Sequence, residues 1–218
     1  EELYSYHVIQ ADETPVLVNH DGRKAGSKSW MWVYRSGHLY YNRQIVLYEY
    51  QQTRNASHPR EFLKGYDGIC VTDGYQVYHT LEKELEELTI AGCWVHCRRR
   101  FDETLKLINK SHQKESGAFL LMKQIQAIYR EEGKLNSLSS DERLKQRQAV
   151  IKPLVDAFFA YLKNIKVSRK DKFGDAVGYA LNQEKYLRVF LTNGDVPIDN
   201  NASLYAGYFY PHLFGKCA

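Results

Sequence analysis

Two short apolar segments that each carry an aspartate constrain this chain most. One surrounds Asp12 in the run Gln10–Thr14, and the other is Gly68–Thr72, which Asp73 follows directly. Apolar, β-branched runs of this length are typical of buried strands, and an acidic residue just past such a strand lies at the sheet edge. Because the pattern occurs twice, the sequence predicts that Asp12 and Asp73 form a site for a divalent cation.

The residues between these segments predict a mixed sheet. Alternation of apolar and polar residues predicts three strands that form an antiparallel meander, followed by two strands that alternate with short helices. These five predicted strands cover residues 7–18, 29–35, 44–50, 68–72 and 89–95. The predicted fold class is therefore α/β with a mixed sheet.

The second half of the chain has helical periodicity. Apolar residues recur at helix spacing from about residue 98 to residue 191, and Ser139–Glu142 has the form of a capping box. We therefore expect an all-helical insertion. The predicted organisation is an α/β core that carries both aspartates, a helical insertion and a terminal segment that completes the core, over residues 1–105, 106–192 and 193–218.

The spacing of the two aspartates is compatible with a shared site. Asp12 and Asp73 lie 61 positions apart, on the predicted first and fourth strands, which can be neighbours in a sheet of this order. Two close carboxylates repel unless a cation lies between them, and Mg²⁺ prefers a few carboxylates together with phosphate oxygens. Two ions about 4 Å apart can activate water and stabilise the leaving oxygen of a phosphodiester. The structural alternative makes Asp12 a turn residue and Asp73 the start of an Asp-Gly turn.

A basic cluster follows the fifth predicted strand. It consists of Arg98, Arg99 and Arg100. Guanidinium groups match phosphate geometry, so these residues are candidates for contacts to DNA phosphates. The alternative is a solvated basic face. Cys93, His96 and Cys97 precede the cluster, but the chain lacks a second Cys/His pair at the spacing that a structural zinc site needs.

Composition limits the class of protein. With 218 residues the chain can bury one core and a smaller satellite, and the net charge of +4 is compatible with a polyanionic partner. No apolar run approaches the roughly 20 residues that span a bilayer, and the first residues do not form a signal peptide. Four cysteines do not make a disulfide framework in a chain of this length. We therefore expect a cytoplasmic protein without a membrane partner.

Four motifs together resemble a known family. They are Ala-Asp-Glu-Thr-Pro at 11–15, Thr-Asp-Gly-Tyr at 72–75, Ala-Gly-Cys-Trp-Val-His-Cys-Arg-Arg-Arg-Phe at 91–101 and Gly-Asp-Val-Pro-Ile-Asp-Asn-Asn at 194–201. In this order, over about residues 5–201, they resemble the catalytic region of bacterial transposases of the insertion-sequence-66 type.

The resemblance implies a ribonuclease-H-like fold interrupted by a helical insertion. It also implies a DDE transposase, in which two aspartates and a glutamate bind two Mg²⁺ or Mn²⁺ ions. Such enzymes hydrolyse the phosphodiester at the transposon end and use the freed 3′-hydroxyl to attack target DNA. Asp12 and Asp73 match the first two acids. The implied partners are transposon-end and target DNA and further copies of the chain, at the bacterial nucleoid.

The third acid of the resemblance is missing. In these transposases Asp-Asn-Asn is followed after two residues by Glu-Arg, but here those positions hold Leu204 and Tyr205. Leucine cannot ligate a metal, so we expect impaired catalysis. Our hypothesis is that the reading frame changes after Asn201, and a diverged but functional terminus is the competing account. The resemblance also implies an N-terminal DNA-end-binding region ahead of the first motif, and on this view we expect the chain to be a fragment or a degenerate copy.

Other carboxylates and other functions remain open at this point. Glu184, Asp195 and Asp199 lie near the motif in sequence but do not match it. One alternative function is a metal-dependent nuclease that uses the same two aspartates. Another is a catalytically inactive DNA-binding or transposition-regulating fragment.

Overall fold

A five-stranded mixed sheet is built from strands that all lie within the first 92 residues. The computed structural model describes residues 2–37, 43–168 and 171–201. The strands are β1 (Val8–Val18), β2 (Ser27–Ser36), β3 (Val46–Gln51), β4 (Gly68–Thr72) and β5 (Leu88–Gly92), in the order β3-β2-β1-β4-β5. β1 and β2, like β2 and β3, are antiparallel, whereas β1 and β4 are parallel.

The burial of β1 reflects its central position in the sheet. Its first six residues are all buried, and burial alternates only from Thr14 onward, where β4 no longer pairs with it. All five residues of β4 are buried, as expected for a strand covered on both faces. The strand order and the mixture of directions confirm the predicted α/β class with a mixed sheet and a helical insertion, and the ribonuclease-H-like assignment stays a prediction.

Helices connect the later strands and build the rest of the chain. α1 (Ser57–Leu63) precedes β4, and α2 (Gln76–Glu84) joins β4 to β5. The remaining helices are α3 (Trp94–Leu107), α4 (Gly117–Gly133), α5 (Ser140–Gln146), α6 (Lys152–Asn164), α7 (Lys172–Asn182) and α8 (Glu184–Leu187). A π-helical turn, Arg147–Ile151, links α5 to α6. In the described ranges no helix is long and apolar enough to cross a bilayer.

The chain divides into two compact units. Of the described residues, those up to Ile90 together with Asn200 and Asn201 form the sheet unit, and those from Ala91 to Asp199 form the helical unit. The predicted domain boundaries after residues 105 and 192 remain a proposal. The fifth strand is shorter than predicted, because it ends at Gly92 and Trp94 already begins α3. The indole of Trp94 is fully buried in the helical unit and donates a hydrogen bond to the Leu187 carbonyl at 2.8 Å.

A buried arginine holds the helical unit together. The Arg147 side chain is 1% exposed, and its Nε donates to Glu132 Oε2 on α4 at 3.0 Å. Its Nη1 donates to the carbonyl oxygens of Phe190 and Asn193 at 2.8 and 2.9 Å. One guanidinium therefore joins the π-helical turn, α4 and the segment that precedes the Gly194 turn.

We expect Arg147→Met to lower the free energy of unfolding by about 3–5 kcal/mol, because it leaves the Glu132 carboxylate buried without its cation. Urea denaturation measures the change. Arg130→Met is the matched control, since the Arg130 side chain lies in the same unit but is 70% exposed, and we expect a change within about 0.5 kcal/mol. Similar losses in the two variants would contradict the structural role of Arg147.

The turn at Gly194 leaves no room for a side chain. A Cβ atom there would overlap the carbonyl oxygen of Ser140, the first residue of α5, and would lie 2.7 Å from its carbonyl carbon. The obstacle is backbone, which cannot move without shifting the helix. Arg143 fixes the same turn, because its Nη1 donates to the Gly194 carbonyl at 2.8 Å.

We expect Gly194→Ala to destabilise the protein by about 1–3 kcal/mol through overpacking. Gly178→Ala is the control, because Gly178 lies inside α7 with nothing within 4 Å of a Cβ atom. In a helix interior, alanine is more stable than glycine by about 0.5–1 kcal/mol, so Gly178→Ala is expected to raise stability. Thermal unfolding of both variants decides, and a neutral Gly194→Ala would show that the turn can open.

Candidate active site

The pairing of β1 with β4 places the two predicted aspartates near the same end of two neighbouring strands. Val8 pairs with Ile69 and Gln10 with Val71, an offset of 61 positions. Continuing this register by two residues places Asp73 level with Asp12. Neighbouring strands lie about 4.8 Å apart. The two carboxylates therefore belong to the same region of the sheet, although their role as metal ligands remains a prediction.

The two aspartates are held in different ways. Asp12 is 6% exposed and lies within β1, opposite Val33 of β2, so it is a strand residue and not a turn residue. Asp73 is half-buried just past the end of β4, and its Oδ1 accepts a hydrogen bond from the Tyr75 backbone N–H at 2.8 Å. Asp73 thus forms the turn that the structural alternative proposed. That turn involves only one of its two carboxylate oxygens.

A third carboxylate, Glu13, lies beside this pair. Its side chain is fully buried, and Oε1 accepts a hydrogen bond from Arg54 Nε at 2.9 Å and a second from Nη2 of the same residue. The hydroxyl of Tyr78 on α2 donates to Glu13 Oε2 at 3.2 Å. Burial and the charge of Glu13 raise the pKa of the Tyr78 hydroxyl, so it remains a donor.

The charge of the aspartates acts on Glu13. The pKa of the Glu13 carboxyl is raised to about 8, chiefly by burial and further by the negative charges of Asp73 and, to a smaller extent, Asp12. The hydrogen bond and charge of Arg54 oppose them. All three acids are therefore close enough to interact, and the surroundings of Glu13 disfavour its charged form. A set of carboxylate oxygens with excess negative charge suits a hard divalent cation.

Glu13 does not complete a set of three metal ligands. Consecutive strand residues project from opposite faces of the sheet, so Glu13 points away from Asp12. Its carboxylate is engaged by Arg54 and Tyr78. Among the described residues, no cluster of three or more His, Cys, Asp or Glu side chains is arranged to hold a metal ion.

Arg54 lies at the centre of a further set of contacts. Its guanidinium carbon is 3.9 Å from the ring centroid of Tyr75 and 4.9 Å from that of Trp30. The Tyr75 hydroxyl donates back to the Arg54 carbonyl at 3.1 Å. Sequence reasoning missed both Glu13 and Arg54. The only available signal was the Glu that follows Asp12 in the first motif, since a loop arginine produces no periodic pattern.

The last motif is anchored to β1. Asn200 is fully buried, and its Nδ2 donates to the carbonyl of Ala11, the residue before Asp12, at 2.9 Å. Asn201 has helical backbone geometry. Leu204 and Tyr205 lie outside the described residues.

The basic cluster lies in the helical unit. It occupies the second turn of α3, and all three arginines are exposed. The Arg98 guanidinium lies 5.8 Å from the ring centroid of Tyr129, and that of Arg100 lies 5.1 Å from the ring centroid of Tyr179. Because successive helical residues are about 100° apart, the arginines do not share one face. Their exposure is compatible with both predicted roles, phosphate contact and a solvated surface.

Three further candidate residues are either buried or held in ion pairs. Cys93 and Cys97 are buried, and burial raises the pKa of the Cys97 thiol. Glu184, one of the carboxylates near the last motif, forms ion pairs with Lys163 at 2.7 Å and Arg188 at 2.9 Å.

Known proteins match most of this chain. The model of the family described as Transposase IS66 family matches residues 1–203. The uncharacterised protein y4qI of Sinorhizobium fredii (strain NBRC 101917 / NGR234) is 30% identical, over 88% of this chain and 37% of its own length. Another uncharacterised protein of that strain, y4hP, is 29% identical, over 72% of this chain and 31% of its own length. The chain thus spans about a third of the length of these curated relatives.

Among the solved structures that were matched, one illustrates the low level of similarity. It is the simian T-cell lymphotropic virus intasome in complex with PP2A regulatory subunit B56 gamma, at 12% identity and a TM-score of 0.31, over 81% of this chain and 47% of that chain. A TM-score of this size does not establish a shared fold.

Proposed function

The chain belongs to the IS66 transposase family, and we propose that it is the catalytic region of a DDE transposase that cleaves and joins DNA at insertion-sequence ends. The observation that supports this most is the parallel register of β1 and β4, which pairs Gln10 with Val71 and, continued by two residues, aligns Asp12 with Asp73. We further propose that catalysis is impaired in this chain. Leu204 stands where the resemblance expects the third acid.

In this proposal Asp12 and Asp73 hold Mg²⁺ or Mn²⁺, two ions in an intact site. Ions bound in this way activate water and stabilise negative charge on the leaving oxygen of a phosphodiester. The fold holds these two aspartates in place. Asp12 lies in the buried central strand, where its backbone cannot shift without breaking the ladder, and the Tyr75 N–H orients Asp73.

DNA is the proposed partner. The net charge of +4 favours a polyanion, and the exposed cluster Arg98–Arg100 presents three guanidinium groups that match phosphate geometry. The proposal includes assembly of several copies on transposon ends and target DNA, in the bacterial cytoplasm at the nucleoid.

A second candidate function is a catalytically inactive DNA-binding or transposition-regulating fragment. Leu204 favours it, because a protein that lacks one metal-binding carboxylate can still bind DNA or a complete transposase. A metal-dependent nuclease that uses the same two aspartates is the third possibility, and it predicts cleavage without strand transfer.

Cleavage and binding assays on supercoiled plasmid separate these functions. We expect tight binding that falls steeply with salt, and only slow nicking in Mn²⁺ that Asp73→Ala abolishes without affecting binding. Replacing Arg98, Arg99 and Arg100 together by Gln is expected to weaken binding and to reduce the salt slope by up to about three. Nicking that survives in Asp73→Ala would contradict the proposed site. Salt-dependent binding without any nicking would favour the inactive fragment.

Restoring the third acid tests why catalysis is impaired. We expect Leu204→Glu with Tyr205→Arg to strengthen Mn²⁺ binding, because a third carboxylate adds a ligand to the two aspartates. Isothermal titration calorimetry measures the affinity. The same double substitution in an Asp73→Asn background is the control, and there the gain is expected to disappear. An unchanged affinity would show that the residue at 204 does not reach the aspartates.

A further inference from the structure

Arg54 contacts the segments that follow both aspartates. It lies in the connection between β3 and α1, and its Nε and Nη2 both donate to Glu13, the residue directly after Asp12. The guanidinium carbon of Arg54 also lies over the ring of Tyr75, 3.9 Å from the ring centroid. One side chain therefore links β1 to the turn that follows β4.

The contact with Tyr75 reaches the second aspartate. The Tyr75 backbone N–H donates to Asp73 Oδ1 at 2.8 Å, so the position of Tyr75 sets the orientation of that carboxylate. The Tyr75 hydroxyl donates to the Arg54 carbonyl at 3.1 Å, so the arginine and the tyrosine hold each other at two points. The second oxygen of the Glu13 carboxylate, Oε2, accepts a hydrogen bond from the Tyr78 hydroxyl.

We infer that Arg54 is a positioning residue, which holds Asp12 and Asp73 in a fixed relative geometry through Glu13 and Tyr75. This inference rests on the proposed metal-binding role of the two aspartates. Arg54 makes two kinds of contact at once. Its Nε and Nη2 donate to the Glu13 carboxylate, and its guanidinium lies over the ring of Tyr75. Lysine has the charge but neither the fork nor the plane.

A positioning role and a purely electrostatic role predict opposite effects on metal binding. Arg54 is a cation close to a site for cations, so by charge alone its removal would strengthen Mn²⁺ binding or leave it unchanged. By the same reasoning, Arg54→Lys would change nothing. If Arg54 positions the ligands, both Arg54→Gln and Arg54→Lys weaken Mn²⁺ binding. Partners that orient metal ligands are typically worth about 10- to 100-fold in affinity.

The first experiment is an Mn²⁺ titration of the full chain, followed by calorimetry or electron paramagnetic resonance. We expect at least about 10-fold weaker binding in both Arg54 variants. Arg60→Gln is the matched control, because Arg60 binds Glu84 with a similar fork on the same unit but at an exposed position, and we expect no change. Circular dichroism verifies that each variant is folded.

The second experiment needs no metal. Hydrogen exchange of the Tyr75 amide reports directly on its bond to Asp73 Oδ1 in the metal-free protein. We expect exchange to accelerate by about 10-fold or more in both Arg54 variants, the change that a loss of roughly 1.4 kcal/mol in local stability would produce. Amides in the β1–β2 ladder are expected to remain protected in the same samples.

The two measurements separate the inference from the proposed function. If the unaltered chain binds no Mn²⁺, the proposed metal site fails, but faster Tyr75 exchange still supports the role of Arg54 in holding the Asp73 turn. Unchanged Tyr75 exchange in both variants overturns the inference, whatever the titration shows. Mn²⁺ binding that is equal or tighter in Arg54→Gln and unchanged in Arg54→Lys also overturns it.

Discussion

The parallel pairing of β1 with β4 is the constraint on which the rest of this protein depends. A slip of one residue would turn the buried side chains of β4 to the opposite face and separate the two aspartates. Gly68 helps to set the register, because its backbone has φ +154° and a Cβ there would lie 2.5 Å from the His7 carbonyl. Ile69 N–H then donates to that carbonyl at 2.8 Å and starts the ladder.

The register brings acidic side chains close together, and neighbouring residues compensate for their repulsion. Asp12, Glu13 and Asp73 lie in one region, and the side chain of Glu13 has no contact with solvent there. A buried carboxylate is tolerated only when it is paired and hydrogen-bonded. Arg54 and Tyr78 meet this need from outside the two strands. The remaining negative charge belongs to the two aspartates, which is the distribution that a cation-binding site requires.

The end of the described chain is attached to the same strand. Asn200 donates to the backbone immediately before Asp12, so the motif that precedes Leu204 is held at the proposed site. The family match extends to residue 203 and does not include Leu204. The residues around the two aspartates thus match the family up to residue 203. For that reason the identity of residue 204 bears strongly on the proposed activity.

The sequence by itself determined the local elements. Apolar and alternating segments predicted β1 to β4, and the Ser139 capping box forms as the residues indicate. Helix periodicity and capping depend on neighbours within a few positions, so a sequence records them directly. Only the tertiary structure decided that Trp94 leaves the fifth strand for a helical core, and that Glu13 pairs with Arg54, 41 positions away. A single long-range ion pair satisfies a buried charge without any periodic pattern, and for that physical reason no reading of the sequence could have located it.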